Sequence, residues 1–403
     1  MIRLKDTKHQ NTSSFLSSAI RIAEYYGFAP LDSLARKDAQ QLRTMKERAS
    51  KNATEILFTR REERPLASSA RRISFLSRPL GETLLAWHIT DGKERAGPPA
   101  NALELHVIGS TSAIAEAILI ITANAIAEEA GITGRILSIN NIGSAESSNR
   151  FIRDVGTYLR KHIETISPTL RPRAATDPLG TLIALVERGH PATPRAPQAM
   201  EYLTEDERRR FWELLEYLEV FGLPYELSPH VLGSRDCWSH SLYQISSTDT
   251  ETGSRIPIAF GGRYDPLAAR FAAAPLSAAT ISIYCEVRGK SRPKRETPGI
   301  PSIYYAHLGP EARRRSLSVL EMLRQAGIPV YQGLHYERIG EQMAAARKAA
   351  TPYILIMGHK EAVEGTVLVR EVHTNSQEAI PVPELVNHLK RRRVGGWRQE
   401  ALV

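Results

Sequence analysis

Apolar residues recur at helical spacing between Ser13 and Tyr26 (Phe15, Ile20, Ile22, Ala23, Tyr26), and Gly27 follows where a C-terminal cap belongs. That segment is expected to form the first helix. From Arg36 to Ala53 the chain turns polar and charge-rich, which predicts a solvated helix or a loop rather than core. Leu103 to Ile108 reads as a strand, Ile114 to Ala130 as a helix covered along its apolar side and stopped at Gly131, and Ile136 to Ile142 as the next strand. Helical patterns return at Arg150 to Ile166 and at Glu205 to Phe221. The second carries Thr204 as N-cap with Glu207 three residues on, the spacing of a capping box. Strands are predicted at Tyr225 to Leu227, Ser241 to Ser246 and Ile256 to Phe260. A β-rich middle with helices on its flanks indicates an α+β fold built on an antiparallel sheet rather than a doubly wound parallel one.

A change of pattern follows Arg288 to Ile300, a basic stretch with two prolines and two glycines and almost no apolar content, read as a linker. Beyond it the order is strand (Ser302 to His307), helix (Pro310 to Ala326), strand (Val330 to Gly333), helix (Ile339 to Ala349), strand (Tyr353 to Met357), two strands around Thr366 to Val372 and Ala379 to Val382, and a last helix from Pro383. That alternation predicts a small mixed sheet with helices on both faces. The expected organisation is a core domain over 1–287, the linker over 288–300, an α/β domain over 301–393 and a tail over 394–403.

Composition adds constraints. A chain of 403 residues with 42% hydrophobic and 24% charged positions suits a soluble globular protein of two or three domains. Lys plus Arg number 53 against 44 acidic residues, a net charge of +9 that suits a polyanionic partner without establishing one. The cysteines, Cys237 and Cys285, have no CxxC spacing, so neither a disulfide framework nor a structural zinc site is expected, and a reducing cytoplasm fits. His88 and His106 have no further ligand at metal-binding spacing, so no metal is expected. The N-terminus lacks the apolar stretch of a signal peptide, and Ala113 to Ala127, interrupted by Glu116 and Asn124, is too short to span a bilayer, so no membrane association is expected. Neither a P-loop nor GxGxxG occurs.

Particular segments carry a resemblance. Leu308 to Arg313 leading into a helix, Ala326-Gly327-Ile328, Tyr353 to Gly358 and Gly365-Thr366-Val367 follow the order and spacing of a synthetase anticodon-binding domain. Phe221 to Pro229, Gly261-Gly262-Arg263-Tyr264-Asp265, Val107 to Ser110 and Ala130-Gly131-Ile132 match segments of the core. The chain thus resembles the histidyl-tRNA synthetase family of class II over nearly its whole length. The resemblance implies a six-to-seven-stranded antiparallel sheet, a homodimer, and ATP- and Mg²⁺-dependent activation of histidine before its transfer to tRNA. It places Gly261, Gly262, Arg263 and Tyr264 at the amino-acid pocket, with Glu62 and Arg235 as further candidates.

Activation builds negative charge on phosphorus, so cations at fixed positions are a chemical requirement. Here the chain departs from the family. His88 falls where the second class motif has its arginine and Thr90 where it has its acid. Ala102 and His106 take the positions of polar and acidic contacts to the substrate amino group. Val287 replaces the closing arginine of the third motif, and Gly233 the leading arginine of a histidine-specific segment, with Arg235 two residues on. The reading that follows is a catalytically degenerate paralogue that binds tRNA or a tRNA-like RNA. The alternatives are a divergent ligase whose Arg61, Arg95, Arg235 and Arg288 make up for the losses, and a regulatory subunit of ATP phosphoribosyltransferase. Arg313, Arg314, Arg391, Arg392 and Arg393 are the candidate RNA contacts, with Tyr305, Tyr331 and Tyr336 available for base stacking.

Overall fold

A computed structural model describes residues 1–34, 63–74, 76, 83–90, 100–249, 252–272, 275–289, 293–294, 300–334, 336, 338–392, 394 and 397–398. The chain divides into two compact units: Met1–Ala19, Ala29–Leu214 and Pro224–Pro293 form the first, and Ile20–Phe28, Leu215–Leu223 and Lys294–Val403 the second.

The first unit is built on eight strands: β1 (Ala29–Pro30), β2 (Leu84–Thr90), β3 (Ala100–Ile108), β4 (Ile136–Asn141), β5 (Tyr225–Leu227), β6 (Ser239–Thr248), β7 (Arg255–Arg263) and β8 (Ala278–Glu286). Their order is β1-β2-β3-β8-β7-β6-β4-β5. The inner six run antiparallel, and the short edge strands β1 and β5 join parallel to their neighbours. β3 is buried at every position, as a strand covered on both faces must be.

The helix Ile114–Glu129 contacts β3, β6, β7 and β8. Every residue from Ile114 to Ala127 is buried, so burial runs all round it rather than along one stripe. Leu66, Ala70 and Ile73 from the helix Glu63–Ile73 and Phe151, Val155 and Leu159 from the helix Ala145–Lys161 pack with Ala86, Ala102, Phe260 and Tyr284 of the sheet. The pattern predicted for Arg150 to Ile166 ends sooner than expected: the helix stops at Lys161, and a single 3-10 turn follows at Ile163–Thr165.

The capping box at the Glu205–Phe221 helix is present. Thr204 Oγ1 accepts from the Glu207 amide at 3.3 Å, and the Glu207 carboxylate accepts from the Thr204 amide at 2.8 Å. That carboxylate also takes the Ser144 amide and the Ser147 hydroxyl, at 2.6 and 2.7 Å, and so ties two helix starts together. Burial works against its charge, but these donors hold its pKa down at about 2. Glu207→Ala is expected to cost about 1–3 kcal/mol, seen as a lower urea midpoint. An unshifted midpoint would show that the box adds nothing.

In the second unit β9 (Ile300–Pro301) pairs with Trp397–Arg398. The main sheet, ordered β11-β10-β12-β13-β14, contains β10 (Ile303–His307), β11 (Val330–Gln332), β12 (Tyr353–Met357), β13 (Thr366–Glu371) and β14 (Gln377–Pro381). The β10 neighbours are parallel and the last two pairings antiparallel. Helices Gly309–Gln325, Ile339–Lys348, His359–Glu364 and Val382–Arg391 accompany the strands. His359–Glu364 was not anticipated from the sequence; Gly365 ends it in the left-handed conformation at φ 69°. Among the described residues no helix is long and apolar enough to cross a membrane.

Candidate functional site

Strand register brings together chemistry that sequence spacing does not. The β2–β3 pairing sets His88 opposite Glu104 and the small Ala86 opposite His106. Residues two apart on a strand share a face, so His88, Glu104 and His106 meet on one side of the sheet. The imidazoles of His88 and His106 stack with centroids 5.3 Å apart and planes 15° from parallel. Glu104 Oε2 lies 3.5 Å from His88 Nε2 and 3.4 Å from His106 Nε2. Ser69, from the helix Glu63–Ile73, donates to the same oxygen at 2.6 Å and lies 3.0 Å from His88 Nε2. His106 Nδ1 meets the Tyr264 hydroxyl at 3.1 Å. All five side chains are buried. Burial lowers the His88 pKa to about 4, partly offset by the attraction of Glu104, so His88 is neutral near pH 7.

Ser69, His88 and Glu104 do not form a nucleophilic triad. In such a triad the acid bonds the ring nitrogen opposite the one facing the hydroxyl. Here Ser69 and Glu104 approach the same nitrogen, Nε2.

Tyr264, expected at a pocket, is fully buried, with its hydroxyl facing His106. Gly261 and Gly262 lie in β7 between β6 and β8. A Cβ on Gly261 would come within 2.2 Å of the Thr280 carbonyl oxygen, and one on Gly262 within 2.6 Å of that of Ser241. These glycines permit close backbone approach inside the sheet. The Arg263 guanidinium is buried and faces Glu116, Asp265 and the Ser110 carbonyl. Glu116 also binds Arg210 at 2.6 Å and the Ser241 hydroxyl at 2.8 Å.

Burial works against the charge of Glu116, but Arg263 and Arg210 outweigh it and hold its pKa at about 2. The network therefore contributes fully above about pH 4.5 and is lost as pH falls towards 2, a span worth about 3 kcal/mol. Acid unfolding in that window is expected to be shallower in Glu116→Gln, as followed by circular dichroism. Equal slopes would contradict the assignment.

Glu62 lies outside the described residues, as do Arg61 and Arg95. The neighbouring Glu63 is the buried acid: it accepts from the Ser234 amide at 2.7 Å and from Trp238 Nε1 at 3.1 Å. Gly233 allows this, because a Cβ there would fall 2.4 Å from the Trp238 ring. Sequence reading missed Glu63; the apolar Trp238 and the Gly233 beside it were the available signal. Arg235 is exposed and donates to Asn149 Oδ1 at 2.8 Å. Val287 and Arg288 are both exposed just past the end of β8.

Among the RNA candidates, Arg314 pairs with Glu216 at 2.9 Å and with Glu311 at 2.5 Å. Arg313 is half-buried and reaches the Leu334 carbonyl at 3.4 Å. Arg391 and Arg392 are exposed at the end of the last helix, Arg392 at 2.9 Å from Glu378. Arg393 lies outside the described residues. Tyr305 is corrected as a stacking platform: it is on the inner strand β10, fully buried, with its hydroxyl on Met357 Sδ at 3.6 Å. Tyr331 is 36% exposed.

The sequence pattern of the family described as "Anticodon binding domain" matches residues 305–392. The chain is 25% identical over 296 residues to the histidine–tRNA ligase of Symbiobacterium thermophilum, covering 72% of this chain and 68% of that one. It is 27% identical over 295 residues to that of Bacillus subtilis, covering 72% and 70%. The crystal structure of apo S. aureus histidyl-tRNA synthetase covers 78% of each chain at 18% identity, with a TM-score of 0.41, too loose a likeness to bear on the fold. A largely antiparallel sheet core and a further α/β unit matching an anticodon-binding domain together define a class II synthetase-like protein. Within that class the sequence is similar to histidine–tRNA ligases.

Proposed function

We propose that this protein is a histidyl-tRNA synthetase paralogue that works by binding tRNA or a related RNA and does not activate histidine. The observation that carries the reading is the buried group of His88, Glu104 and His106. In the alignment that the resemblance gives, His88 and His106 take positions where an adenylate-forming site needs a phosphate-binding arginine and a contact to the substrate amino group. Here they are neutral or carboxylate-facing groups closed within the core. ATP and Mg²⁺ fit these residues poorly: no cation stands at the position of His88, and Thr90 lies opposite Ala102 rather than an acid. Arg235 and Arg288, two of the arginines that would have to make up for the losses in a divergent ligase, are exposed, and Arg235 is engaged by Asn149.

The anticodon-binding match over 305–392 supports RNA as the partner. It also weighs against the regulatory-subunit alternative, since paralogues of that kind normally lack such a domain. The same reading takes the protein as a cytoplasmic homodimer in which residues 301–393 read the RNA.

Its test is the affinity for total tRNA measured by filter binding across a salt series. Log affinity should fall linearly with log salt as phosphates release their counterions. Affinity that is absent at low salt would overturn the RNA-binding reading.

A further inference from the structure

His88, Glu104 and His106 offer more than the filling of a site. Each presents one ligand atom, and the three atoms lie within 4.8 Å of one another. Glu104 Oε2 is 3.4 and 3.5 Å from the two Nε2 atoms. Those distances are long for hydrogen bonds to a carboxylate. They fit the edge of a coordination tetrahedron, because ligands about 2.0–2.1 Å from a shared zinc ion stand about 3.3 Å apart.

Bonding at His106 is compatible with ligation. Among the described residues His106 Nε2 is buried without a hydrogen-bond partner, while its Nδ1 meets the Tyr264 hydroxyl at 3.1 Å. The Tyr264 hydroxyl can accept from His106 Nδ1, and in that tautomer Nε2 presents a lone pair, as in a ligating histidine. The Ser69 hydroxyl, against both His88 Nε2 and Glu104 Oε2, can supply a fourth oxygen.

We propose that His88, Glu104 and His106 bind one divalent transition-metal ion of the zinc class, with Ser69 or water completing a tetrahedron and Tyr264 orienting His106. Two imidazoles and a single carboxylate select such an ion over Mg²⁺ or Ca²⁺, which take oxygen donors. The ion would pin β2 to β3 where the helix Glu63–Ile73 packs on the sheet. Sequence spacing concealed the site because the third ligand arrives through strand register, on the residue opposite His88.

The test uses full-length protein stripped by a chelator, dialysed, and titrated with Co²⁺. One equivalent should develop the visible d–d absorption of a tetrahedral centre, and one equivalent of Zn²⁺ should remove it. Glu104→Gln, which keeps the shape of the side chain, should weaken Co²⁺ binding by more than about 100-fold, and Tyr264→Phe by about 10- to 100-fold. Circular dichroism establishes that each variant is folded, and if Glu104→Gln is not, the wild-type titration and Tyr264→Phe decide. No tetrahedral absorption in the wild-type protein, or absorption unchanged in a folded Glu104→Gln, would overturn the proposal.

Discussion

Glu116→Ala is expected to be among the most destabilising single changes in the first unit, lowering its stability by about 3–5 kcal/mol. Wild-type Glu116 faces the buried guanidinium of Arg263 at 3.3 Å and binds Arg210 at 2.6 Å. Alanine would leave Arg263 with Asp265, also at 3.3 Å, as its remaining acidic partner among the described residues. An undercompensated cation in the core is costlier than the ion pair it replaces is favourable. Since domains are stable by about 5–15 kcal/mol, a loss of this size takes up much of the margin. Urea unfolding should show a markedly lower midpoint, with Glu116→Gln falling between the two. A loss under about 1 kcal/mol would mean that Arg263 has another anchor and that its burial was misread.

The second large effect concerns binding. Charge reversal of Arg391 and Arg392 together is expected to weaken tRNA affinity by more than about tenfold near 0.1 M salt and to reduce the salt slope by about 1–2. Both side chains are exposed, and the Arg392–Glu378 pair lies at the surface, where such pairs contribute little to stability. The variant should therefore fold normally. Tyr264→Phe, which removes one hydroxyl facing His106, should bind tRNA as wild type does. Loss of affinity in Tyr264→Phe with none in the arginine variant would place the RNA elsewhere. Arg314, already engaged by Glu216 and Glu311, is a poorer phosphate contact than its position in the sequence suggests.

The periodic parts of the fold were legible in the sequence. The Glu205–Phe221 helix carries its own start signal in Thr204 and Glu207, and the strands and long helices of the second unit follow one another with little between them. Proline concealed the stretch between Ser167 and Thr204. Helices Arg171–Thr176 and Pro178–Glu187 each begin with proline in the first two positions, where the missing amide costs nothing, yet along the sequence those prolines look like breaks. Asp177 completes the second start by accepting from the Gly180 amide at 2.9 Å.

The candidate site was legible in composition but not in arrangement. His88, His106, Arg263 and Tyr264 stood out as residue types. That Glu104 would lie between the histidines, and Glu116 against Arg263, depends on register and on burial of a whole helix, which neither periodicity nor spacing encodes. Glu63 was displaced by a neighbour of the same type, Glu62, because nothing local distinguishes the acid that becomes buried.

The most direct measurement is histidine-dependent ATP–pyrophosphate exchange by the purified protein, with and without total tRNA, alongside tRNA binding by the same preparation. The proposed function predicts no exchange above background together with salt-sensitive tRNA affinity. Histidine-dependent exchange would contradict it, and would mean that an ATP site exists which the buried His88–Glu104–His106 group does not occupy.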